Sequence, residues 1–81
     1  MITGRQIRMA RAALKWKVDD LAGKTDTSWA RLQKSEKVNG ETSLSEEARA
    51  DIRRVFEEAG VIFLNGTDDC EPGVTVRKVP T

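Results

Sequence analysis

Between Ile7 and Glu36 the chain carries an ordered series of apolar and charged residues that leaves few ways to fold. Ile7-Arg8-x-x-Arg11-x-x-Leu14-x-Trp16 comes first, followed by Asp20-Leu21-Ala22 and then Asp26-Thr27-Ser28-Trp29-Ala30-Arg31-Leu32-Gln33-Lys34-Ser35-Glu36. Ile7, Ala10, Ala13 and Leu14 recur at helical spacing behind Thr3, a good N-cap, and predict a first helix over Gly4–Leu14. Trp16 follows its end, where the ring can close a core. Val18, Leu21 and Ala22 predict a short second helix, with Asp19 and Asp20 complementing the dipole of its first turn. Gly23 to Asp26 ends it. Thr27 or Ser28 caps a third helix whose apolar face is only Ala30, Leu32 and Ser35. A helix so short, with so little apolar surface, is not stable alone. It must lean on its neighbours and turn Trp29, Arg31, Gln33, Lys34 and Lys37 towards something else.

The rest of the chain predicts a scaffold. Val38 to Thr42 is a loop around the turn signal Asn39-Gly40. Ser43 or Ser45 caps a fourth helix with Glu46 and Glu47 in its first turn. Leu44, Ala48, Ile52, Val55, Phe56 and Ala59 form its apolar stripe, and Gly60 stops it. Beyond Gly60 the period changes. Val61-Ile62-Phe63-Leu64 is a β-type run, Asn65 to Gly73 is a loop rich in Gly, Asp and Pro, and Val74 to Val79 alternates as a half-buried strand does. A lone hairpin is marginal in water. One face of its first strand is therefore expected on the fourth helix and the other on a second copy of the chain, with Val61, Phe63, Val74 and Val76 as the dimerisation residues. The division is residues 1–60 as a helical domain and 61–81 as a β-hairpin.

An 81-residue chain is one domain at most. No apolar stretch approaches the roughly 20 residues that span a bilayer, and no signal-peptide core follows Met1. The single Cys70 cannot form an internal disulfide, so a reducing cytoplasm is expected. Net charge is only +1, yet residues 1–40 carry nine Lys/Arg against four acids, and residues 41–81 five against nine. One half is basic and suited to phosphate; the other is acidic. The chain has no His, no Tyr, no phosphate loop and no convincing nucleophile–base pair, so no catalysis and no cofactor are expected. Cys70 sits among Asp68, Asp69 and Glu71, which disfavour a thiolate, and that loop without His is expected to be solvated rather than metal-bound.

A helix followed by two short amphipathic segments joined by a polar turn is the layout of a helix-turn-helix, which places one short helix in the DNA major groove. Over roughly residues 4–60 the ordered series Ile-Arg-x-x-Arg, Leu-x-Trp, Leu-Ala and Ser-x-x-x-Leu-x-x-x-Glu resembles the Xre/lambda-Cro family of bacterial and phage DNA-binding regulators. The tail is similar to small members whose core ends in a Gly-Val-x-Phe-Leu strand and a Val-x-Val-Arg strand. The resemblance implies a mainly α, lambda-repressor-like four-helix domain with a C-terminal β-hairpin, and an ion pair between Arg11 and Glu36 that joins the first helix to the third. Four positions depart from the family pattern. Lys15 stands where Gly is common, and Val18, preceded by Lys17, stands where Gln is common. Asp26 replaces the turn Gly, with tolerance for the left-handed conformation. Ser35 replaces an apolar residue.

The implied function is a sequence-specific, DNA-binding transcriptional regulator, a homodimeric repressor of a palindromic operator on double-stranded DNA. In that docking mode Ser28, Trp29, Ala30, Gln33 and Lys34 reach base edges, Gln33 suiting adenine and Lys34 guanine. Lys17, Thr27, Arg31, Lys37 and Asn39 are the candidates for phosphate contacts. Two alternatives keep the same fold: an antitoxin-like DNA-binding protein with a protein partner, or an interaction adaptor that does not bind DNA and uses Trp29 as an apolar patch.

Overall fold

In a computed structural model, which describes residues 2–78, the polar turns separate six elements: α1 (Gly4–Ala13), α2 (Val18–Lys24), α3 (Trp29–Glu36), α4 (Glu46–Glu58), β1 (Val61–Leu64) and β2 (Gly73–Val76). The four helices surround one core, and the two strands pair antiparallel with Val61 opposite Val76 and Leu64 opposite Gly73. Ile2, Ile7, Ala10, Leu21, Leu32, Leu44, Ile52, Phe56 and Val61 are buried, so each helix and β1 contribute to the same cluster. Phe56 is its hub. Trp16 stacks on it at 5.5 Å between ring centroids, and Phe63 meets it edge-on at 6.1 Å. Both are arrangements that the ring quadrupoles favour.

Local chemistry sets where each helix starts and stops. Thr3 caps α1 through a reciprocal box: its hydroxyl accepts from the Gln6 N–H at 3.1 Å, and the Gln6 carbonyl oxygen accepts from the Thr3 N–H at 3.0 Å. Ser28 caps α3 and Ser45 caps α4, so Leu44 enters the core from the turn ahead of α4 rather than from its stripe. α1 ends one residue before the predicted Leu14. Lys15 adopts a left-handed φ of 58°. The Trp16 N–H then reaches back to the Arg11 carbonyl at 2.9 Å, and the Lys15 N–H to that of Ala12 at 3.1 Å. This doubly bonded stop swings Trp16 under Phe56. Asp26 does not take the left-handed conformation that its place in the turn suggested. Gly60 does, with φ of 99°, and turns the chain from α4 into β1.

Gly4 and Ser35 explain how closely α1 and α3 approach. A Cβ on Gly4 would collide with the carbonyl oxygens of Ser35 and Val38. Ser35 is itself buried, and its hydroxyl donates to the Leu32 carbonyl at 2.7 Å. A small residue with an internally satisfied hydroxyl thus occupies a place where a bulky apolar side chain would hold the helices apart.

The hairpin corrects the dimerisation set. Val61 is buried, while Phe63, Val74 and Val76 pack on the core cluster, so all four face inward. The period of a strand is two, and the face left to solvent carries Ile62 and Leu64 instead. Gln6, buried in α1, pins the far end of the hairpin: its amide nitrogen donates to the carbonyls of Leu64 at 2.9 Å and Gly73 at 3.0 Å. The alternation predicts a strand to Val79, which lies outside the described residues; among those described, the pairing runs from Gly73 to Val76.

Two substitutions test this packing by urea denaturation. Gly4→Ala is expected to cost about 3 kcal/mol, because backbone rather than a mobile side chain must yield. Lys15→Gly is expected to stabilise by about 0.5 kcal/mol, since relief of the left-handed strain outweighs the added freedom of the unfolded chain.

Candidate functional site

α3 presents two faces of different chemistry. Leu32, Ser35 and Glu36 are buried, while Ala30, Gln33, Lys34 and Lys37 are exposed. The exposed four stand at i, i+3, i+4 and i+7, one stripe along the helix and its cap. Trp29 flanks the stripe at the first turn with 45% of its surface exposed. Ser28 is exposed as the cap, its hydroxyl accepting from the Arg31 N–H at 3.3 Å. An eight-residue helix is about 12 Å long, which matches the width of a major groove.

Two arginines of α1 hold this helix in place. Arg11 Nη2 meets Glu36 Oε1 at 2.8 Å, and Arg11 Nε meets Oε2 at 3.0 Å, a two-pronged contact. The remaining Arg11 nitrogen, Nη1, donates to the Trp16 carbonyl at 3.0 Å. The hydrogen bonds to Glu36 raise the Arg11 pKa above its ordinary value, against the opposing effect of burial. Arg8 lies one turn earlier. Its Nη1 donates to the carbonyls of Glu36 and Val38, and its Nη2 to Asn39 Oδ1. A cation on the open carbonyls at the end of α3 complements the negative pole of the helix. The sequence pattern assigns Arg8 no role of its own. The available signal was its spacing, since Gly4, Arg8 and Arg11 lie along one side of α1.

The phosphate candidates separate into groups. Lys17 and Lys37 are exposed, at the start of α2 and the end of α3. Thr27 is only 5% exposed, because the chain enters α3 through the core side, and it does not offer a side chain to an external ligand. Asn39 is exposed, but its carbonyl oxygen is taken by Arg8. Arg31 lines one cleft of about 350 Å³ with Lys34, Ser43 and Ser45, and a second with Asp26, Glu47 and Asp51. It therefore stands between the basic stripe and a group of carboxylates. Asp51 accepts from the Asp26 N–H at 3.1 Å and so fixes the turn that leads into α3.

The charge segregation of the sequence is moderated in three dimensions. Three of the five acids of α4 are met by its own arginines: Arg53 pairs with Glu57, and Arg54 with Asp51 and Glu58. Arg31, Lys34 and Lys37 have no ion-pair partner among the described residues. Also among those residues, no group of three or more His, Cys, Asp or Glu side chains is arranged to hold a metal ion, and no helix is long and apolar enough to cross a membrane. No family model matches this chain, and neither a curated protein nor a solved structure is found to match it.

Arg11→Ala is expected to cost about 3 kcal/mol by denaturant titration, because it strands the buried Glu36 carboxylate. A second test is acid titration. The Arg54 side chain, and then the Asp26 N–H, hold the Asp51 carboxyl below its ordinary value of 3.8. Its contribution is therefore complete above that value and is lost as pH falls through the lowered one. Asp51→Asn is expected to flatten the acid limb of the stability curve.

Proposed function

We propose that this chain is a sequence-specific DNA-binding transcriptional regulator of the helix-turn-helix type, akin to the Xre/lambda-Cro regulators that its sequence resembles. The observation that carries the reading is the exposed stripe Ala30-Gln33-Lys34-Lys37 on a short helix whose opposite face is bolted to α1. Such a helix is rigid, convex and positively charged, and it offers a side-chain amide and an ammonium at positions that reach base edges. Gln33 would bond an adenine and Lys34 a guanine, while Ala30 allows close approach. Lys17 and Lys37 would grip phosphates on either side and fix the register without reading sequence. Two copies would present two such helices to a palindrome with half-sites about 10 bp apart, as a repressor that occludes a promoter.

A second reading keeps the fold and replaces DNA with a protein partner. It is favoured by the exposed Trp29 and by the carboxylates of Asp26, Glu47 and Asp51 beside Arg31, which repel phosphate. The two readings differ in their response to salt. DNA affinity falls steeply as counterions compete, whereas an apolar contact built on Trp29 holds.

The test is a mobility-shift titration at two salt concentrations against duplexes selected from a random pool, with the DNA upstream of this protein's own gene included. A discrete, salt-sensitive complex is expected. Gln33→Ala/Lys34→Ala is expected to weaken it about 100-fold and to relax sequence preference. Lys37→Ala is expected to weaken all sequences alike and to lower the salt slope by about one. Selection that returns no enriched sequence would contradict the reading.

A further inference from the structure

We infer that the groove between Ile2 and α4 binds a small zwitterion of the amino-acid type, its carboxylate held by Arg49 and Arg53, its ammonium by Glu46 and its aliphatic body by the floor. The groove shares no residue with the α3 stripe, so the inference goes beyond the DNA-binding reading and does not rest on it. Its volume is about 250 Å³, and it is lined by Ile2, Glu46, Arg49, Ala50 and Arg53. Pockets for drug-sized ligands begin at roughly 300 Å³, so the occupant is smaller than that. The four α4 residues stand at i, i+3, i+4 and i+7 and share one face of the helix. Ile2, buried in the segment ahead of α1, closes the floor, and with Ala50 it supplies the apolar lining.

The guanidiniums on this face have donors to spare. Arg53 is held twice: its Nε donates to Glu57 Oε2 at 3.2 Å, and its guanidinium carbon lies 5.4 Å from the centre of the Phe63 ring. Stacking and hydrogen bond together fix the fork. Among the described residues neither of its terminal nitrogens has a hydrogen-bond partner. Arg49 is half-buried and in no ion pair among those residues, and Glu46 is in none either. Glu46 and Arg49 are three residues apart, a spacing at which helical neighbours can pair, yet both stay open.

Charge decides the ligand. Arg49 and Arg53 are positive, while Glu46 and the Glu57 bound to Arg53 are negative. The site is neutral, with its poles apart. A simple anion would meet Glu46, and a simple cation would meet both guanidiniums. A molecule that carries both charges satisfies each pole. In an α-amino acid the two charged groups share one carbon, which suits a Glu and an Arg one helical turn apart. A planar carboxylate also matches the guanidinium fork. An aliphatic side chain then lies over Ala50, Ile2 and the methylene stems of the arginines.

NMR shift mapping of backbone amides and arginine Nε groups, on the full chain without DNA, tests this with leucine as the probe. Leucine is expected to give saturable shifts at Ile2, Glu46, Arg49, Ala50 and Arg53, with an affinity of about 1 mM for so small a ligand. Isocaproate lacks the ammonium and isoamylamine the carboxylate; each is expected to bind about tenfold more weakly. Arg49→Gln is expected to weaken leucine about tenfold, with an unchanged helical circular-dichroism spectrum. Glu46→Gln is expected to weaken leucine yet bind isocaproate more tightly than the native chain does, an exchange of preference that a loss of fold cannot produce. No saturable shift up to about 20 mM leucine, shifts centred on α3, equal binding of leucine and either one-poled analogue, or no exchange in Glu46→Gln would each overturn the inference.

Discussion

The two-pronged contact between Arg11 and Glu36 is the constraint on which the rest of the structure depends. α3 has one fully buried apolar side chain, Leu32, and an isolated helix of that length would not persist. Its order comes from outside. Arg11 reaches across from α1 to its last carboxylate, Arg8 closes its last carbonyls, and Gly4 lets the two backbones approach. Ser28 closes the other end. The result is a helix anchored at both ends whose outer stripe is free of internal obligations. Arg11 also bonds the Trp16 carbonyl, so the same side chain ties the stop of α1 to the end of α3. Trp16 carries that tie into the core through Phe56.

A second line of force runs through Gln6. One buried amide completes the capping box of α1 and bonds both strands at the loop end of the hairpin. A buried amide is costly unless satisfied, and here its oxygen and both donor hydrogens have partners, so it specifies one seating for the hairpin. α1 is thus the spine. One side carries the arginines that position α3, and the other carries the glutamine and methionine that meet the hairpin. Separation of the two sides keeps the exposed stripe of α3 clear of the hairpin.

Much of this layout is legible in the residues. The stripe Ile7, Ala10 with Thr3 ahead of it, the caps before α3 and α4, and Gly60 as a stop each rest on local chemistry that a sequence states directly. The Arg11–Glu36 pair was implied by resemblance rather than by spacing, since nothing local joins residues 25 apart. The inward turn of Val61 and Phe63 was not legible, because four apolar residues in succession contain no alternation to choose a face. The left-handed turn out of Gly60 and the edge-on seat against Phe56 choose it. Thr27 was misjudged for a related reason: a hydroxyl before a helix reads as a ligand contact, while its burial depends on how the preceding turn crosses α4. The partners of Arg8 are backbone carbonyls and one loop amide, which leave no complementary charge in the sequence, so only its spacing with Gly4 and Arg11 along α1 points to its role.

The most direct test of the central claim, that α3 held by α1 is a DNA-reading surface, is residue-resolved amide shift mapping by NMR during titration with a selected duplex. The largest changes are expected at Ala30, Gln33, Lys34 and Lys37, smaller ones at Lys17, and little at Ile62 or Leu64 beyond any effect of self-association. Arg11→Ala is expected to broaden the α3 resonances and abolish the pattern while leaving α4 in place. Changes centred on the hairpin or on α4, or a pattern unaltered by Arg11→Ala, would contradict it.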